Sequence, residues 1–273
     1  MLGALVIVFR EVIEAGLIIG IVLAASRKIA GSKRLITLGV AGGIAGAVIV
    51  AIFAGAISDA FAGAGQELFN ASVLATAVVM LTWHNVWMAR HSREIVVHMH
   101  DVGAAVSAGV RPPAALGIVV GLAVLREGSE VVLFLYGVLA SGTSGTSVLL
   151  GGLLGILTGA AFSAMTYCGL LAIPLRHIFS VTTVLIALLA AGMAAQAVQF
   201  LDAAGIVTVL THQLWDTSWL LPQDSVIGRM LHTLIGYTDR PTELQLIVYL
   251  ATLIAMVALT RVVRPAPRAR VAA

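Results

Sequence analysis

Leu125-Arg126-Glu127-Gly128-Ser129-Glu130-Val131-Val132 places three ionised side chains inside an apolar run covering 113–140, and Phe9-Arg10-Glu11-Val12-Ile13-Glu14-Ala15-Gly16 does the same near the start of the chain. Both read Arg-Glu-x-x-Glu. About 20 apolar residues suffice to cross a bilayer, and each charged cluster falls near the middle of its run, where charge is most costly. At about 2.5 to 3.5 kcal/mol per central charged residue, six lipid-facing and unpaired charges would cost roughly 15 to 20 kcal/mol. The two clusters must therefore face one another or water.

The composition agrees: of 273 residues, 60% are hydrophobic and 11% charged, which describes an all-α polytopic membrane protein and excludes a soluble domain. The net charge of +3 comes from basic residues spread over loops, so it reports topology and not a nucleic-acid partner. Cys168 is the single cysteine, which excludes an intrachain disulfide or a Cys-Cys metal site and reads as an inert small residue in a helix. The first apolar run lacks a basic n-region and contains Arg10, Glu11 and Glu14, so it is expected to be a retained helix and not a cleaved signal.

The apolar segments cover 2–25, 35–57, 68–89, 114–140, 148–173, 178–201 and 244–263, seven spans. Basic connections (Arg27, Lys28, Lys33 and Arg34; Arg90, Arg93 and Arg111; Arg176; the tail with Arg261, Arg264, Arg268 and Arg270) alternate with non-basic ones. The positive-inside rule then predicts an inner (plasma) membrane protein with its N-terminus outside and C-terminus in the cytoplasm. The two clusters lie in the first and fourth spans, so three crossings separate them and reverse their direction. Gly39, Gly42, Gly43 and Gly46 follow the first cluster as Gly151, Gly152, Gly155 and Gly159 follow the second, at spacings that let helix backbones approach closely. The reading is two inverted three-helix repeats plus a seventh helix: 1–90 the first repeat, 91–113 a cytoplasmic connecting segment carrying a solvated surface helix, 114–201 the second repeat, 202–243 an outer loop with an interfacial segment, 244–263 the seventh helix and 264–273 a disordered basic tail near anionic lipid.

Within each cluster the two glutamates are three apart and share a helix face, and the arginine lies four before the second. Glu11, Glu14, Glu127 and Glu130 against Arg10 and Arg126 leave two net negative charges, and oxygen donors in a low-dielectric site suit a hard cation. A structural ion-pair lock between the two helices is the competing reading.

Paired Arg-Glu-x-x-Glu helices in the first and fourth of seven spans resemble the oxidase-dependent iron permease family. Trp215-Asp216-Thr217-Ser218 with Gly236-Tyr237 and Pro241-Thr242 is similar to that family's last outer loop, and Gln196-x-x-Gln199-Phe200 to the end of its sixth helix. The resemblance implies a permease, not an enzyme, with no cofactor beyond a transported iron ion. It further implies uptake of ferric iron delivered by an extracytoplasmic oxidase or iron-donor protein. The family's usual Arg-Glu-Gly-Leu-Glu is altered at Val12, Ile13 and Ser129, which leaves metal choice open: ferrous iron, manganese or lead import, a proton-coupled carrier, and an intramembrane ferroxidase are the alternatives. Ser129, His84, Gln196, Gln199 and Asp202 are candidates for the ion path, with interhelical hydrogen bonding as the competing role. In the outer loop His212, Asp216, Asp224 and Asp239 are placed to collect cations or meet a donor, while Trp215, Trp219 and Tyr237 read as interfacial anchors.

The topology predicts that cysteines introduced at Ser144 and Ser225 react with an impermeant reagent from outside, and those at Ser32 and Ser107 only after the membrane is opened. Reversed accessibility would remove the basis for the inverted repeat.

Overall fold

The computed structural model describes residues 1–27, 29–60, 66–169 and 175–263. The tail 264–273 and Lys28 lie outside the described residues, as do the side chains of Asp59, Arg93, His100 and Arg176. Among the described residues eight helices follow in order: α1 (Leu2–Ala25), α2 (Ser32–Ala60), α3 (Gln66–Ser107), α4 (Ala114–Ala140), α5 (Gly145–Tyr167), α6 (Leu175–Ala203), α7 (Val226–Ile235) and α8 (Glu243–Val263). Among the described residues, five stretches, in α2, α3, α5, α6 and α8, are long and apolar enough to cross a membrane. The helices α1 and α4, of 24 and 27 residues, match them in length but carry the charged motifs. The chain is an all-α, multi-pass membrane protein.

Their packing follows from where charge has to go. The motif helices α1 and α4 cross one another at the centre. Helix α2 lies along α4 and α5 along α1; α3 packs on α6, which in turn carries α8. Outward faces of the flanking helices stay apolar, as Ile52 and Phe53 of α2 and Leu149 and Leu157 of α5 show, since lipid needs no polar group from them. One buried apolar cluster joins Ile7, Leu74, Leu81, Phe134 and Ile186; a second joins Val22, Ile36, Val106, Leu116 and Val120. Along α1 the first precedes the motif and the second follows it, and along α4 the order is reversed. The charged layer is thus sandwiched between two dry ones.

Glycines set the closest approaches. Gly39 and Gly43 of α2 meet the backbone of α4 at Gly117 and Gly121, while Gly151 and Gly155 of α5 meet that of α1 at Met1 and Leu5. A methyl at Gly42 would meet nothing within 4 Å, and one at Gly152 would only touch Leu135. The altered motif position Val12 has a matching exception across the interface: a methyl on Gly159 would come 2.9 Å from Val12 Cβ, whereas Gly128, at the corresponding position of the other motif, faces Ala47, 2.7 Å from such a methyl. The side chain gained in one helix is accommodated by a side chain absent from its neighbour.

Three expectations need adjustment. The third apolar stretch ends at Met88, close to the expected 89, but helix α3 continues unbroken past it, for 42 residues in all. Val102, Gly103 and Val106 of its last turns are buried, Gly103 lying on Ala25 and Ser107 Oγ donating to the Ala25 carbonyl at 3.2 Å. The segment read as a solvated surface helix is therefore an extension that packs under α1, with Glu94, His98 and Asp101 on its exposed side. The fifth span ends at Tyr167, so Cys168 sits just past the helix, exposed, and not within it. The 202–243 connection, expected to carry an interfacial segment, contains α7, capped by the Ser225 hydroxyl accepting from Gly228 N–H and closed by Gly236, whose φ of +70° and contact with Gly192 both exclude a side chain. Ser32 is buried and Ser225 caps a helix, which leaves the exposed Ser107 and Ser144 as the informative labelling positions.

If the Val12 and Gly159 pair is a true complement, Gly159→Val should lower the thermal unfolding temperature of detergent-purified protein, at a cost of about 1–3 kcal/mol for overpacking. Adding Val12→Gly to it should restore most of the loss. A double variant as unstable as Gly159→Val alone would refute the complementarity.

Candidate metal centre

Helical spacing puts Glu11 and Glu14 on the face of α1 that meets α4, and Glu127 and Glu130 on the answering face. Arg10, Glu11 and Glu14 are buried to within 3% of full burial, Glu127 is buried, and Glu130 is partly so. Each arginine serves its own helix: Arg10 Nε donates to Glu14 Oε1 at 2.8 Å and Arg126 Nε to Glu130 Oε1 at 3.1 Å. Arg126 also lies 3.9 Å from Glu127 Oε1.

Between the two acidic helices stands His84 of α3. Its Nε2 is 3.7 Å from Glu11 Oε2 and 3.6 Å from Glu14 Oε2, and its Nδ1 meets Glu130 Oε2. The edge-on Phe134 ring, with centroids 6.3 Å apart at 80°, fixes the imidazole plane. One ligand atom each from Glu11, His84, Glu127 and Glu130 falls within 4.8 Å of all the others. Three carboxylates and one imidazole make an oxygen-rich set with one borderline donor, which suits iron or manganese as well as harder ions. Glu14 stands beside this set, held by Arg10. Both Glu11 oxygens, Glu14 Oε2 and Glu127 Oε2 are buried without a hydrogen bond. On the side of α2 and α5, a largely apolar cavity of about 740 Å³ reaches Glu11 and Glu127 and runs past Ser163 to Tyr167.

The remaining candidates are placed elsewhere. Ser129 is in the motif, but its hydroxyl donates to the Leu125 carbonyl of its own helix at 2.7 Å. Gln196 donates to the Ser141 carbonyl at 2.9 Å and approaches His232 Nε2 at 3.3 Å, tying α6 to the end of α4 and to α7. Gln199 is exposed and Asp202 half-buried at the end of α6. In the 202–243 loop His212 and Asp224 are exposed. Asp216 accepts from Ser218 and pairs with Arg240 at 3.1 Å, while Asp239 accepts from the Gln223 N–H at 3.1 Å. These are separate loop contacts and form no shared donor set. Trp215 and Trp219 are exposed, whereas the Tyr237 hydroxyl bonds Thr217 and the Leu221 carbonyl inside the loop. Two partners of the centre carried no signal in sequence: Asn85, whose Oδ1 accepts from Arg10 Nη1 at 2.6 Å, and Trp87, whose ring centroid lies 4.0 Å from the Arg126 guanidinium carbon. Both sit within a turn of His84, so an inward-facing His84 would have pointed to them.

The model of the iron permease FTR1 family matches residues 1–266, both motif helices included. The chain belongs to that family. It is 30% identical over 251 residues to the ferrous iron permease EfeU of Escherichia coli O6:K15:H31 (strain 536 / UPEC), covering 91% of each chain. The protein of that name from Shigella flexneri serotype 5b (strain 8401) is 32% identical over 204 residues, 74% of this chain and 86% of the relative. That from Yersinia pestis is 28% identical over 251 residues, 91% of this chain and 89% of the relative. No solved structure matches.

The Ser218 hydroxyl and amide, with Arg240 alongside, hold the Asp216 carboxyl below its ordinary value. Because the folded-state value is depressed, the contribution of this contact is full above the ordinary aspartate range of about 3.9 and is lost as pH falls through the depressed value. Hydrogen exchange over 211–225, corrected for intrinsic rates, should therefore stay flat down to that range and rise below it. In Asp216→Asn the rise should be absent.

Proposed function

We propose that this iron permease carries ferrous iron inward across the inner (plasma) membrane, through one mid-membrane site made by Glu11, Glu127 and Glu130 with His84. The observation that carries the reading is the set of buried carboxylate oxygens without hydrogen-bond partners, gathered around one imidazole. A structural ion-pair lock is expected to satisfy its buried acceptors, since an unpaired one costs more than a made bond returns. A site that waits for a cation leaves them free.

Seven spans are the accompanying proposal, with α1 and α4 crossing beside the five wholly apolar stretches and the N-terminus outside. The packing supports an inverted repeat: α2 on α4 and α5 on α1 exchange under a two-fold operation that maps α1 onto α4 and α3 onto α6. The repeat is asymmetric at the site, because α3 supplies His84 while Gln196 of α6 is engaged at the outer end.

Charge favours the divalent state. With His84 neutral, as a metal ligand must be, four carboxylates and two guanidiniums sum to two net negative charges, which a divalent ion brings to zero and a ferric ion overshoots by one. In a low-dielectric layer the neutral loaded state costs least, and the relatives named above are ferrous iron permeases. Ferric iron supplied by an oxidase, as the sequence resemblance implies, is the other arm of the same experiment. Purified protein in liposomes should take up iron kept ferrous by ascorbate faster than ferric citrate, and without consuming oxygen. Glu127→Gln and His84→Ala should each reduce uptake by more than the roughly 10- to 100-fold that loss of an outer-shell partner costs a metal site, with the protein still monodisperse. Parent-like uptake by either variant would remove that residue from the site.

A further inference from the structure

The two arginines are equivalent in sequence and are held in different ways. Arg10 is 3% exposed and spends two nitrogens on hydrogen bonds, Nε on Glu14 at 2.8 Å and Nη1 on Asn85 at 2.6 Å. Its guanidinium has nowhere to move: leaving Glu14 would strand a buried charge on a neutral amide. The Arg126 side chain is 39% exposed and, among the described residues, makes one side-chain hydrogen bond, to Glu130 at 3.1 Å. Its second attachment is of another kind. The guanidinium carbon lies 4.0 Å from the centroid of the Trp87 ring, and Trp87 is backed in turn by His91, stacked at 4.9 Å and 19°.

A cation over an indole face is held by the ring quadrupole, and the in-plane N–H groups of a guanidinium stay available while it stacks. Arg126 is therefore able to give up Glu130 without giving up Trp87. Glu130 lies between two donors, with Oε1 toward Arg126 and Oε2 toward His84; Glu14 lies likewise between Arg10 and His84, but of the two only Glu130 belongs to the donor set. An ion drawing on Glu130 competes with Arg126 and leaves the Arg10 pair intact.

We propose that Arg126 is the guanidinium that exchanges with the ion, and that Trp87 is a positioning residue that keeps Arg126 seated while Glu130 is on the ion. The inference rests on the reading of Glu11, His84, Glu127 and Glu130 as an iron site. It gives the two repeats unequal roles, with Arg10 as a fixed countercharge and Arg126 as the movable one that refills the site when the ion leaves. Without the ring face, a displaced Arg126 loses its second seat. The ring attracts the guanidinium more strongly once Glu130 no longer neutralises it, so losing the ring face costs the ion-bound state more than the empty one, in which Arg126 keeps Glu130.

The test is anaerobic titration of purified protein with ferrous iron, alongside uptake by the parent in liposomes. Trp87→Met, which keeps an apolar side chain without a ring, should raise the Kd roughly 2- to 30-fold, the range a partly desolvated cation–π contact supports. Trp87→Phe, which keeps a π face, should stay close to the parent. In an Arg126→Gln protein, adding Trp87→Met should change the Kd no further. A parent that neither binds nor transports iron overturns the proposed function and this inference with it. If the parent binds iron and Trp87→Phe and Trp87→Met are indistinguishable, or Trp87→Met weakens binding equally with and without Arg126, this inference alone falls.

Discussion

Six ionised groups in the middle of two apolar helices cannot be left in lipid, and the architecture follows from that constraint. Neither α1 nor α4 can face the bilayer along the motif, so each turns its acidic face to the other. Both are then screened, α1 by α5 and α4 by α2, with α3 and α6 closing the remaining side. The gradient of burial follows: Arg10, Glu11 and Glu14 are nearly inaccessible, whereas only 6% of the apolar window of α8 is buried. The dry clusters around Phe134 and around Leu116 cap the charged layer at both ends. Electrostatic interactions between them act at low dielectric, which strengthens pairing and raises the cost of every acceptor left unpaired.

A two-fold arrangement of motifs has been given an asymmetric interior. One α3 residue, His84, bridges both acidic helices, with one ring nitrogen toward α1 and the other toward Glu130 of α4. In α6, Gln196 is committed to the Ser141 carbonyl at the end of α4 and to His232 of α7. Transport through one site, as proposed above, would benefit from this inequality. A site whose two halves released their countercharges equally would pass through a state with both arginines unpaired, the costliest arrangement available in the bilayer core.

How much of this was legible depends on the range over which each signal acts. The spans, the motif faces and the close approach of Gly39 and Gly155 rest on local periodicity, which the sequence carries directly. The two clusters meet because buried charge leaves them no other place, so their encounter could be argued from energy. The position of His84 between Glu11 and Glu130 depends on the rotation of α3, and that is set by Leu74, Leu81 and Phe134 packing far apart in sequence. Asn85 under Arg10 and Trp87 under Arg126 follow from the same rotation. The length of α3 was hidden for another reason: polar residues from 90 to 101 look like the end of a span, yet helix propensity does not stop at the edge of the apolar region. In the 202–243 loop, Asp216 and Asp239 read as free carboxylates because their partners, Arg240 and the Gln223 amide, come from the far side of the turn.

The departures of the motif from the family's usual form differ in where they point. Ile13 is buried. Val12 occupies space that Gly159 leaves open on α5, so the added side chain is absorbed by helix packing and not by displacement of Glu11 or Glu14. Ser129 brings a hydroxyl next to Glu130, which suggests an extra ligand, but that hydroxyl bonds back to the Leu125 carbonyl, a common way for a serine inside an apolar helix to satisfy itself. None of the three substitutions enters the donor set. At the proposed site, discrimination among ions would therefore rest on the carboxylates and on the single imidazole of His84. Loss of that nitrogen would leave an oxygen-only site better suited to hard ions such as magnesium or calcium, while its presence shifts the balance toward iron.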